Sequence, residues 1–207
     1  MKKNFCLLLF AMLVSMAVSA QRFEYQLGLK GGVGVGFLGV HDDNIVGKDN
    51  GFNYKFGFTG SYYFGENYGF TSGFNIIGSD LSYKLKYTNE ENEENIVARN
   101  LKNTYCQIPF LLKMRTDAFA NKYRVFGEIG YGLNLLVNEH DKNDFHHKYR
   151  DVCSSFIVHL GVEIEVLNRS TLLLMLGYDN TFSNMLSSSN DYKLTMSNLC
   201  FEIGFLF

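Results

Sequence analysis

The feature that most constrains this chain is the way it ends. From Leu199 to Phe207, the large apolar residues Leu199, Phe201, Ile203, Phe205 and Phe207 alternate with Cys200, Glu202, Gly204 and Leu206. A strand turns successive side chains to opposite faces, so this segment has one fully apolar face and one that carries a carboxylate. Segments of the same period precede it, at about Tyr25–Phe37, Phe52–Phe64, Tyr68–Tyr87, Leu101–Arg115, Lys122–Val137, Phe156–Val166 and Ser170–Phe182. Aromatics at 15% and a single proline suit such a sheet-rich chain, and its 20 glycines relieve crowding where strands pack closely. In the third segment the apolar phase changes near Gly78, from Phe70, Phe74 and Ile76 to Leu81, Tyr83, Leu85 and Tyr87, which predicts a β-bulge.

The connections select the architecture. Short ones follow the second, fourth and sixth segments, around 65–67, 116–121 and 168–169. Long polar ones follow the first, third, fifth and seventh, at 41–51, 88–100, 138–151 and 183–197. Short turns alternating with long loops around an even number of strands predict an all-β, eight-stranded, antiparallel up-and-down transmembrane β-barrel in the outer membrane. A soluble lipocalin-like binder has the same strand plan but lines its cavity with the apolar rows. Here the other rows are small or charged, with Gly28, Gly32, Gly34 and Gly36 on the first strand and Glu163 and Glu165 on the sixth. Such rows suit a crowded narrow lumen better than a soluble exterior. In lipid every backbone group must find a partner within the protein, so the last strand must close on the first and its apolar stripe must face lipid.

The amino terminus gives the same location. Met1-Lys2-Lys3, the apolar run Phe5–Val14 and Val18-Ser19-Ala20 have the form of a secretory signal peptide at 1–20, leaving 21–207 as one barrel domain. Losing the two lysines moves the formal charge from −2 to −4, which offers no electrostatic footprint for nucleic acid. Cys106, Cys153 and Cys200 lack the close spacing of a zinc or redox motif and are expected to be unpaired.

The stretches LGLKGGVGVG (Leu27 to Gly36), TYCQIPFLLKMR (Thr104 to Arg115) and FGEIGYGLN (Phe126 to Asn134) resemble the PorT-type outer-membrane β-barrel domain family of the Bacteroidota. With the aromatic strands and the closing phenylalanine, the resemblance spans essentially the whole mature chain. It implies an integral outer-membrane protein without assigned chemistry; some members serve a secretion and gliding apparatus. The terminal aromatic also resembles the signal read by the barrel insertion machinery. Gln107 stands where the family often has glutamate.

Candidate chemistry is sparse. Gly34 to Gly39 fits the G-x-G-x-x-G formula, but His41-Asp42-Asp43-Asn44 follows in place of the helix a dinucleotide needs. His140, His146 and His147 with Glu139, Asp141 and Asp144 in the third long loop, and Glu90, Glu91, Glu93 and Glu94 in the second, read as solvated loop residues, so no metal or cofactor is expected. His159 with Ser155 or Glu163 has the residue types of a hydrolase. Four residues of strand separate His159 from each, on the order of 13 Å, so a lumen-facing structural histidine is expected and no catalytic site is assigned. Lys30, Lys55, Lys113, Arg115 and Arg124 fall on the inward rows with Glu128, Glu163, Glu165, Asp179 and Glu202. In so narrow a barrel these charges are expected to pair across the bore and plug it. The expected protein is a monomeric structural or interaction barrel, in contact with outer-membrane lipid and lipopolysaccharide and with a membrane or extracellular protein partner. The rival readings are a small channel or transport protein, a component of a secretion apparatus, and a lipid-modifying enzyme.

Overall fold

The computed structural model describes residues 24–41, 45–88, 94–120, 122–141, 150–167, 170–185 and 193–207. The signal segment at 1–20 lies outside the described residues. The chain forms β1 (Glu24–His41), β2 (Ile45–Tyr63), β3 (Tyr68–Thr88), β4 (Glu94–Arg115), β5 (Tyr123–Asp141), β6 (Val152–Leu167), β7 (Ser170–Thr181) and β8 (Lys193–Leu206). Each strand pairs antiparallel with the next, and β8 returns to pair with β1, closing a barrel in sequence order. Phe207 completes the seam: its N–H donates to Leu27 O at 2.8 Å and its carbonyl accepts from Leu27 N at 3.3 Å.

The alternation assigns the faces as the apolar rows require. On β8, Leu199, Phe201, Ile203, Phe205 and Phe207 are exposed while Cys200, Glu202 and Leu206 are buried. Tyr25, Phe64, Tyr68 and Tyr123 mark the short-turn end of this outer belt, and Phe52, Tyr131, Tyr178 and Phe182 mark the long-loop end, in the manner of interfacial girdles. Ile203 sits at the centre of its row and is 49% exposed. We expect Ile203→Arg to cost about 2–4 kcal/mol, the usual penalty for a charge at the midplane on the lipid face. Unfolding in lipid vesicles measures it, and an unchanged midpoint would contradict the assignment of faces.

Two sequence expectations are corrected. No bulge occurs at Gly78, where the pairings Tyr54↔Gly78↔Thr104 run in continuous register. Leu81 instead stays on the lumen face and is fully buried, because the interior changes there from polar to apolar. The register shifts fall between Ile45 and Gly47 and between Asp49 and Phe52 on β2, at Thr104/Tyr105 opposite β5, and between Glu165 and Leu167 on β6. The strands also run farther into the long connections than the apolar pattern reached. β3 and β4 have 21 and 22 residues, whereas a membrane crossing needs about 9–11. Their outer ends therefore stand beyond the bilayer, where polar residues still satisfy the ladder.

Candidate functional site: the sealed lumen

Inward rows from all eight strands meet in a bore too narrow for bulk water, so their polar groups must satisfy one another. At one level Glu202 accepts two lysines, with Lys30 Nζ at 3.4 Å from Oε2 and Lys55 Nζ at 3.2 Å from Oε1. Lys55 also reaches Asp179 Oδ2 at 3.1 Å. Nearer the short-turn end, Lys113 lies 2.7 Å from Glu163 and 3.5 Å from Glu128, and Arg115 lies 3.6 Å from Glu163.

His159 joins the two groups. Its Nδ1 is 2.8 Å from Glu128 Oε2, while Nε2 faces Glu202 Oε1 at 3.7 Å and Asp179 Oδ1 at 4.0 Å. Both ring nitrogens thus face carboxylates, Nδ1 at hydrogen-bond distance and Nε2 beyond it. Gly177 makes room for it: a Cβ there would lie 2.8 Å from His159 Cδ2 and 2.9 Å from Glu202 Oε1. Neutral groups tie the network to the wall. Tyr63 Oη donates to Glu163 at 3.2 Å, Thr71 Oγ1 donates to Glu128 at 3.2 Å, and Cys200 Sγ donates to Asn53 Oδ1 at 3.0 Å. Gln107 accepts from Asn75 at 3.1 Å and donates through Nε2 to Asp179 at 3.4 Å. A glutamate at 107 would set a second carboxylate against Asp179, so the amide fits this position.

Apolar side chains close both ends of the charged section. At the short-turn end Phe126, Leu173, Met175 and Leu206 form one buried cluster. Lys113 Nζ lies 4.4 Å from the Phe126 ring centre and Arg115 stacks 3.8 Å from that of Tyr63, so the seal itself stabilises the cations. Toward the long loops a second cluster holds Leu38, Leu81, Tyr105, Cys153, Met185, Leu194 and Met196. Met185 comes from the connection after β7, where Arg150 N donates to Met185 O at 2.7 Å and Met185 N to Leu194 O at 2.9 Å, turning the chain inward.

Eight of the ten expected lumen charges are buried in this network. Arg124 is only half-buried and Glu165 is exposed, because β5 and β6 carry them to the short-turn rim, beyond the seal. Sequence reasoning missed Tyr63, Met185 and the linking role of His159; the Tyr63 inward phase was a readable signal, whereas nothing local marks a loop methionine as part of the lumen. Ser155 Oγ donates to Gly132 O at 3.4 Å. Cys106, Cys153 and Cys200 are free and buried. Among the described residues no group of His, Cys, Asp and Glu is gathered as for a metal. Asp144, His146 and His147 lie outside the described residues, as do the side chains of Glu139, His140 and Asp141. Glu90, Glu91 and Glu93 and the side chain of Glu94 do so too. Gly34 to Gly39 lies within β1, with no dinucleotide-binding helix after it in the strand order.

A closed antiparallel barrel with an aromatic-bounded apolar exterior and a charged, filled interior is a membrane-spanning barrel. The sequence matches the outer membrane protein beta-barrel domain over residues 6–205, and the chain belongs to that family of the outer membrane. No curated protein matches it. Among solved structures it is similar to OprG from Pseudomonas aeruginosa, at 12% identity and a TM-score of 0.50, covering 88% of this chain and 95% of that one. It is similar also to Neisserial surface protein A, at 10% identity and 0.48, covering 89% and 98%. A third is the N-terminal β-barrel domain of Pseudomonas aeruginosa OprF, at 10% and 0.41, covering 90% and 100%. At 12% identity the likeness to OprG is one of fold.

Proposed function

We propose that this protein is a closed-lumen outer-membrane barrel that acts as a structural or interaction protein, through its outer loops or through partners in the membrane, and has no enzymatic activity. The observation that carries this reading is the continuous ion-pair network from Lys30 to Arg115, sealed by apolar clusters at both ends. Four buried cations, Lys30, Lys55, Lys113 and Arg115, face four buried anions, Glu128, Glu163, Asp179 and Glu202. An ion crossing the bore would have to part these pairs in a low-dielectric interior, and a buried charge stripped of its partner costs about 3–5 kcal/mol. The full burial of His159 and the hydrogen bond of its Nδ1 to Glu128 support a structural histidine over a general base.

In this reading the short turns and both barrel termini face the periplasm, and the four long connections face outward, following secretion directed by residues 1–20. The protein acts as a monomer embedded in outer-membrane lipid and lipopolysaccharide after delivery to the insertion machinery. The motifs of β1, β4 and β5 support a place in the PorT-type branch of the Bacteroidota, and they do not by themselves carry over the secretion role of some of its members.

Single-channel recording in planar bilayers tests the closed lumen. Purified, heat-modifiable barrel is expected to give no sustained conductance steps, while a variant with Lys113→Ala and Lys55→Ala, if folded, should begin to conduct. Sustained steps from the unmodified protein would transfer the assignment to a small channel.

A further inference from the structure

Between the charged section and the outer seal lies a cavity with about 10 Å³ of free space, about what one water or one bare ion occupies. Its walls include three sulfur-bearing side chains from three separate parts of the chain. These are Cys153 at the start of β6, Met185 in the connection after β7, and Met196 on β8. All three belong to one buried cluster, at 2%, 1% and 5% exposure. The Cys153 thiol makes a long contact to Arg150 O, at 3.9 Å, and a side-chain contact to Ser183. Asn134 and Asp179 line the same cavity, and Asn134 Oδ1 and Asp179 Oδ1 are buried without a hydrogen-bond partner, His159 Nε2 lying 4.0 Å from the latter. To a cationic guest this cavity therefore offers electron pairs, soft ones from sulfur on the outer side and oxygen on the side of the network, where the amides and hydroxyls of Gln107, Ser155, Thr181 and Asn198 also line it.

We propose that this cavity is a binding site for a soft monovalent cation of the copper(I) class, held by Cys153, Met185 and Met196. Thiolate and thioether ligands select copper(I) over harder ions. Charge favours the monovalent ion for a separate reason. On binding, the Cys153 S–H bond breaks, its proton leaves to solvent, and the sulfur bonds the metal, so one positive charge replaces another and the balanced lumen keeps its net charge. The thioethers bind without losing a proton. A divalent ion entering in the same way would leave one uncompensated charge in the low-dielectric interior, which is strongly disfavoured. No electron is transferred, provided the ion arrives reduced.

The test is anaerobic titration of the folded barrel in detergent with copper(I), against a competing chelator, with X-ray absorption spectroscopy of the loaded protein. The expected result is copper retained against the chelator in a sulfur-rich shell. Retention should fall to background in Cys153→Ser and weaken about tenfold or more when Met185→Leu and Met196→Leu are combined. The heat-modifiable band should be kept in each variant, and zinc(II) should not compete. Cys106 and Cys200 remain in every variant, so they cannot account for the difference. Retention equal to that of Cys153→Ser overturns the proposal, as does a cavity that holds only water and takes up no copper. Should Cys153→Ser fail to fold, the absorption spectrum of the unmodified protein decides: a shell without sulfur overturns the site.

Discussion

Replacing Lys55 by methionine is expected to destabilise the folded barrel by about 3–5 kcal/mol, the cost of removing one partner from a buried ion pair. Lys55 is the common partner of Asp179 and Glu202, at 3.1 and 3.2 Å, and its side chain is almost wholly buried. Without it, Asp179 keeps only the amide of Gln107 and a distant His159, while Glu202 retains Lys30 at 3.4 Å. Adding Asp179→Leu to Lys55→Met removes the orphaned charge together with its partner. Because exchanging a whole buried pair for apolar side chains is often neutral or better, the double variant should recover much of the loss. Urea unfolding in lipid vesicles gives both numbers. Equal destabilisation by the single and double variants would mean that packing, and not charge pairing, holds this level of the lumen together.

The second large effect is expected at the closing seam. Gly34 on β1 faces β8 so closely that a Cβ would run into the carbonyl oxygen of Leu199 and lie 2.7 Å from Cys200 Cα. Both are backbone atoms, which cannot rotate away as a side chain could. Gly34→Val should therefore force β1 and β8 apart where the sheet must close, at a cost above the ~1–3 kcal/mol usual for overpacking. Because an unclosed edge has no partner in lipid, the expected readout is loss of the compact, heat-modifiable band. Gly127→Ala is the control: a Cβ there meets only His159 O at 3.8 Å, an ordinary contact, so its band should remain. A folded Gly34→Val barrel of unchanged stability would show that the seam has slack.

The interior explains why the two kinds of residue are spread unevenly around the wall. β1 contributes one long charged side chain, Lys30, amid the inward glycines Gly28, Gly32, Gly34 and Gly36, while the other buried charges and His159 come from β2, β4, β5, β6, β7 and β8. A narrow bore cannot hold long side chains from every strand at one level, so the glycines of β1 give the space that Glu202 and its lysines fill. The outer seal adds a loop residue, Met185, to side chains from the strands, because the charged section ends below the tops of the strands and needs an apolar cover there.

Much of this was written locally in the chain. Period-two alternation depends only on neighbouring residues, and it determined the strands, their order, the lipid face and the inward row that holds Lys30, Lys55, Lys113, Glu128, Glu163 and Glu202. Backbone satisfaction in lipid then required closure of the last strand on the first. Only the tertiary structure decided which inward charges share a level. Strand tilt and stagger bring His159 of β6 beside Glu128 of β5 and Glu202 of β8, and carry Glu165 of the same row out to the rim. That stagger belongs to the closed sheet as a whole, so no single strand can encode it, and the same is true of Met185, whose burial depends on the walls that surround it.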